Sequence, residues 1–174
     1  MSDIEVAMQL QLKLREQLRK KVLEQYTMLS SSEIASRYPS WSAINKASSL
    51  NKRAEKHSLI QLVMSEEFIY PLEQFEPGTE KPMMNHLIME GYREALAHNL
   101  NEWEYLAWLG SPIVILVEEP TPGFDDAMSK KNFEAARLAI KNTGPSKEFI
   151  YQPLACAQAH QKDQFHQLLC LWLS

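Results

Sequence analysis

The chain has 174 residues, 45% of them hydrophobic and 23% charged, with 18 Lys and Arg against 22 Asp and Glu for a net charge of −4. That composition excludes a disordered or fibrous chain, and a length close to the usual domain size of roughly 100–150 residues excludes a large multi-domain enzyme. The apolar run Ile113–Val117 is far short of the ~20 residues that span a bilayer, no secretory apolar segment opens the chain, and Cys156 and Cys170 make no disulfide framework, so a cytoplasmic protein with reduced thiols is expected.

In chain order, residues 3–28 contain no Gly or Pro, and Ile4, Met8, Leu10, Leu14, Leu18, Val22 and Tyr26 recur mostly at four-residue steps, which predicts one long amphipathic helix. It would run for about 39 Å. Such a helix buries its stripe either against a second copy of itself, giving a homodimer, or across its own domain. Ser30-x-x-Glu33 fits a capping box for a short helix through Tyr38, which Pro39 ends. Ser40 or Ser42 then caps a second helix from about Ala43 to Lys52, with Ile44, Ala47 and Leu50 suited to burial. Two short helices around a tight turn are the outline of a helix-turn-helix.

The period then changes to two. Residues 59–63 and 68–70 read as strands of a β-hairpin around Met64-Ser65-Glu66-Glu67, a winged arrangement whose acidic tip suits a structural role better than contact with phosphates. Pro71 locks the turn that follows. Beyond Glu76-Pro77-Gly78-Thr79, Pro82 is placed at a helix start with Met83, Leu87, Ile88, Tyr92 and Leu96 on one face, and Asn101 caps a helix carrying Trp103 and Trp108 as core residues. Ile113–Val117 is either a short strand or a buried extended loop. Two short helices follow at about 124–128 and 132–141, Gly144-Pro145 punctuates the chain, and residues 151–174 read as a helical tail whose apolar end must dock. The fold expected is mainly α: a long helix over 1–28, a helix-turn-helix with a hairpin over 29–75, a helical module over 76–144 and an apolar helical tail over 145–174.

The net charge conceals an asymmetry. Residues 1–60 carry ten Lys and Arg and six acids, a balance of +4, which leaves −8 for residues 61–174. A basic part that faces nucleic acid joined to an acidic part with another task is the natural reading. On the second short helix Asn45, Lys46, Ser48, Ser49, Lys52 and Arg53 are polar. Asn reads adenine edges, Ser reads either kind of base pair, and Lys or Arg binds phosphate or guanine. Asn45, Lys46, Ser49, Lys52, Arg53 and Lys56 are therefore the candidate DNA contacts, with Arg37 as a backbone contact and His57 extending the patch.

Catalytic signatures are missing. No G-x-S-x-G, Walker pattern or G-x-G-x-x-G occurs and there are five glycines in all, so no enzymatic activity and no cofactor are expected. Cys156-x3-His160-x5-His166-x3-Cys170 contains zinc-ligand residue types. On one helix, however, His160 and His166 differ by about 600° of rotation and point apart, so no metal is expected there.

Several segments together resemble a known arrangement. Ser31-Ser32-Glu33-Ile34-Ala35 resembles the opening helix of bacterial helix-turn-helix proteins. Phe68-Ile69-Tyr70-Pro71-Leu72-Glu73-Gln74-Phe75-Glu76 resembles the Y-P-x-x-Q-F-D segment of a family related to Xre/ParS-type antitoxins and partition-associated regulators. The stretch from Trp103 to Pro112, and later Glu119-Pro120-Thr121-Pro122, is similar to that family's W-x-x-x-x-W-L-x-x-P … G-x-T-P module. The resemblance covers about residues 30–141. It implies a bacterial, sequence-specific DNA-binding regulator of antitoxin or partition type, with a helical module that binds a toxin or other protein partner. The alternative is a protein-interaction adaptor whose degenerate helix-turn-helix does not read DNA.

Overall fold

The computed structural model describes residues 3–43, 45–117 and 147–174. Among these residues the chain is mainly α, with seven α-helices and five short strands. They divide into two units, one drawn from residues 1–111 and 152–174 and the other from 112–151.

Helix α1 spans Asp3–Gln25. It ends three residues earlier than the periodicity predicts, because Met28–Ser30 forms strand β1 and pairs with a later strand. The two ends of α1 differ. Val22 and Tyr26 are buried and Leu18 is half-buried, whereas Ile4, Val6, Met8, Leu10, Leu12 and Leu14 are all more than half exposed. The buried end packs on helix α5 (Glu102–Leu109), where Tyr26 donates to Leu106 O at 2.7 Å and Gln25 Nε2 to Gly110 O at 3.2 Å. A Cβ at Gly110 would lie 2.9 Å from both Gln25 Oε1 and Tyr26 Oη, so this close approach depends on glycine.

Helix α2 (Ser31–Arg37) opens with the expected capping box: Ser30 Oγ accepts from Glu33 N, and the Glu33 carboxylate accepts from Ser30 N at 2.7 Å. Helix α3 (Lys46–Glu55) starts three residues later than predicted and is capped by Asn45, not by Ser40 or Ser42. Within it Leu50 is fully buried as expected, but Ala47 is exposed. Ile44 lies outside the described residues. Strands β2 (Leu62–Met64) and β3 (Glu67–Pro71) form the hairpin, closed by Ser65 and Glu66 with φ of 50° and 69°, the positive values that a two-residue turn with matching twist requires. The sheet order is β1-β3-β2, all antiparallel. The element order of this region is α1-β1-α2-α3-β2-β3, with β1 supplying a strand that hydrophobic periodicity did not reveal, and eight residues, 38–45, connect α2 to α3 where a tight turn was expected.

Its core gathers Ile34, Tyr38, Trp41, Leu50, Leu59, Tyr70 and Phe75. Gln74, buried at the end of the 3-10 turn Leu72–Gln74, exchanges hydrogen bonds with both Ile60 N and Ile60 O, at 2.8 and 3.0 Å, and so pins the approach to β2. Because a buried amide without partners would be strongly unfavourable, this pair explains why a polar residue occupies a core position. Pro71 is the last residue of β3 and leads into that turn.

Helix α4 (His86–Ala97) begins four residues after Pro82 and is capped by the buried Asn85, so Met83 lies outside it and is exposed. Leu87, Ile88 and Tyr92 are buried as predicted. Asn101 caps α5, and Trp108 is in the core, whereas Trp103 is half-buried beneath the Arg19 guanidinium, 5.4 Å from its ring centre. The tail is not one helix. Residues Pro153–Gln158 form α6 and Lys162–Leu173 form α7, separated by a turn in which His160 has φ of 54°. The apolar end docks as required: the Trp172 ring stacks on Trp108 at 4.7 Å, and Phe165 meets Trp108 edge to face.

In the second unit Ile113–Val117 is strand β4, and it pairs antiparallel with β5 (Lys147–Tyr151) from Ile113 opposite Tyr151 to Val117 opposite Lys147. The start of the supposed helical tail is thus extended. The helices expected at 124–128 and 132–141, the Gly144-Pro145 break and the Glu119–Pro122 part of the family-like module lie outside the described residues.

Candidate nucleic-acid interface

Helix α3 is anchored at Leu50 and Asn51 and capped at its own start by Asn45. Leu50 enters the core, Asn51 accepts hydrogen bonds from Gln61 Nε2 at 2.9 Å and Tyr70 Oη at 3.2 Å, and the Asn45 side chain accepts from Ser48 N at 2.9 Å. The last bond satisfies one of the four unpaired amides at the helix start. It also commits Asn45 Oδ1, leaving the amide nitrogen as the group available for base recognition.

The seven predicted contacts separate into three sets. Asn45, Ser49, Lys52 and Lys56 follow one another at steps of four, three and four, and together with Ala43, Ser48 and Arg53 they line one open groove of about 380 Å³. Lys52 and Lys56 are exposed at its rim. Lys46 and Arg53 are half-buried and bond to the protein's own backbone, Arg53 while also lining the groove. Lys46 Nζ donates to Ala35 O at 3.2 Å and Tyr38 O at 3.1 Å, closing the C-terminal end of α2, where carbonyls attract a cation. Arg53 donates from Nη1 to Pro82 O at 2.8 Å, with its guanidinium 5.6 Å from the centre of the Trp41 ring. Lys46 Nζ stands 6.0 Å from the same ring. Arg37, exposed in the last turn of α2, is not part of the groove.

Trp41 was not singled out from the sequence, yet its ring meets both inward cations. The available signal was an aromatic residue in a turn flanked by basic residues. Glu33, at the start of α2, has its carboxyl held below the usual carboxylate range, chiefly by the backbone hydrogen bond from Ser30 and then by the Ser30 side chain. It stabilises the start of the helix that receives Lys46.

The wing carries a different surface. Val63, Met64 and Phe68 are exposed next to Glu66 and Glu67. The four zinc-type residues of the tail do not converge. Cys156 is buried and burial pushes its thiol up, Cys170 is exposed, His166 Nε2 lies 3.4 Å from Glu90 Oε2, and His160 faces Glu76. The assumption of a single continuous helix fails because α6 and α7 break at His160.

No family model, curated protein or solved structure matches this chain. Among the described residues no helix is long and apolar enough to cross a membrane.

Proposed function

We propose that the protein is a non-enzymatic, cytoplasmic, sequence-specific DNA-binding regulator of the antitoxin or partition type. The reading rests on one observation: α3 is anchored by Leu50, Lys46 and Arg53, while Asn45, Ser49, Lys52 and Lys56 form a row along an open groove that Arg53 borders. An anchored helix with amide, hydroxyl and ammonium groups on its open face has the parts needed to enter a major groove, where amides and hydroxyls read base edges and ammonium groups bind phosphates. The exposed apolar residues of α1 between Ile4 and Leu14 support a homodimer, which would double the basic row as a two-fold-symmetric operator requires.

The experiment is a fluorescence-anisotropy titration of a selected DNA duplex over a range of salt concentrations. Binding is expected to weaken steeply with salt, and the Lys52→Ala/Lys56→Ala double variant to bind more weakly and to lose about one unit of salt slope per lysine. Unchanged affinity in that variant would remove the assignment. The adaptor reading is favoured by the wing, where Val63, Met64 and Phe68 present apolar area beside two carboxylates that repel phosphate. A stoichiometric protein partner, captured with no DNA retained at low salt, would establish it instead.

A further inference from the structure

We infer that Glu76, His86 and His160 form a binding site for one divalent transition-metal ion of the zinc type. The three side chains come from three separate segments: the loop after the wing, the first turn of α4 and the turn between α6 and α7. One ligand atom from each lies within 4.8 Å of the others. The two imidazole rings are nearly parallel, 11° apart with centres at 5.8 Å, and His160 Nε2 lies 3.7 Å from Glu76 Oε2. Tetrahedral zinc with bonds of about 2.0–2.2 Å places its ligand atoms about 3.4 Å apart, so small side-chain rotations bring this set onto an ion.

The backbone around each ligand is fixed. Glu76 N donates to Met83 O at 2.7 Å beside the Phe75–Met84 bridge, which sets the loop against the approach to α4. Asn85 then does two things at once. Its Oδ1 caps α4 through Leu87 N and Ile88 N, and its Nδ2 donates to Ala157 O at 3.1 Å, tying the start of α4 to the end of α6. That buried amide places His86 and His160 side by side. His160 adopts φ of 54°, the left-handed region in which His, Asn and Asp are enriched, and its N–H donates to Ala157 O. Two imidazoles and one carboxylate are a donor set that suits Zn²⁺, Co²⁺ or Ni²⁺, with solvent completing the coordination because both histidines are exposed.

A bound ion would cross-link the three segments, so it would also stabilise the fold by mass action. Isothermal titration of Zn²⁺ into the full chain without a polyhistidine tag is expected to give one ion per chain and a raised melting temperature. His86→Gln and His160→Asn, the latter chosen because Asn tolerates the left-handed conformation, should each weaken binding at least tenfold. A His166→Gln/Cys170→Ser variant should bind as the natural chain does. Co²⁺ loaded in place of Zn²⁺ should show four-coordinate visible bands without thiolate charge transfer. No Zn²⁺ binding, binding that persists in both histidine variants, or binding that disappears in the His166/Cys170 variant would overturn the site. If either histidine variant fails to fold, Glu76→Gln tests the same set and should also weaken binding, unchanged affinity refuting it.

Discussion

Lys46 and Arg53 turn their charges toward backbone carbonyls and the Trp41 ring, whereas Lys52 and Lys56, on the same helix, reach into solvent. The difference follows from helix geometry. Positions 46, 50 and 53 fall on the side that faces α2 and the core, and positions 45, 49, 52 and 56 on the side that faces out. Residue type alone therefore does not mark a nucleic-acid contact: four basic side chains within eleven positions divide equally between holding the helix and presenting it.

The comparison is testable through stability first. Leu50→Ala should have the largest effect, about 2–5 kcal/mol by urea unfolding, because it empties a fully buried position in the core. Arg53→Ala should cost roughly 1–3 kcal/mol by removing a charged donor from Pro82 O and a cation from Trp41. Arg53→Lys should restore only part of that loss, since a lysine has no planar fork to keep both contacts. A result near zero for Arg53→Ala would place this residue with the outward row.

Ser30→Ala should cost about 1 kcal/mol by removing the α2 cap. Glu33 adds a pH dependence of known sign. Its folded-state pKa is lowered, so its contribution is present above the ordinary carboxylate pKa and is lost as pH falls through the lowered folded value. Glu33→Gln should flatten stability across that acidic window, as thermal melts at stepped pH would show. The smallest effect on stability, within about 0.5 kcal/mol, is expected for Lys52→Ala and Lys56→Ala, the two substitutions with the greatest expected effect on DNA affinity. A large loss of stability in either would break the division between the two sides.

Much of the fold was legible because local rules acted without competition. Ser30-x-x-Glu33 produced its capping box, Pro39 follows the end of α2, Asn101 capped α5, and the period-two runs around Ser65-Glu66 became a hairpin. Errors arose where tertiary contact outweighed local pattern. Met28 was read as the end of α1 but opens β1, which pairs with β3, and no feature of so short a segment distinguishes the two outcomes before its partner strand is in place. Lys147–Tyr151 likewise became extended against Ile113–Val117. At the candidate interface the residues of the outward row were legible as types. That Lys46 and Arg53 hold the helix was not, because they bond to carbonyls of other segments, Ala35, Tyr38 and Pro82, which no spacing within α3 reveals.

The −4 average resolves into a basic part and an acidic part by counting alone, and the capping, breaking and turn residues by themselves determine a mainly α chain with a wing. These are local properties, set by side-chain chemistry at short separations. Which cations face outward, which end of α1 is buried, and the meeting of Glu76, His86 and His160 were decided only by tertiary structure. Those outcomes depend on contacts between residues distant in sequence, such as Asn85 with Ala157 and Tyr26 with Leu106, and no local spacing encodes them.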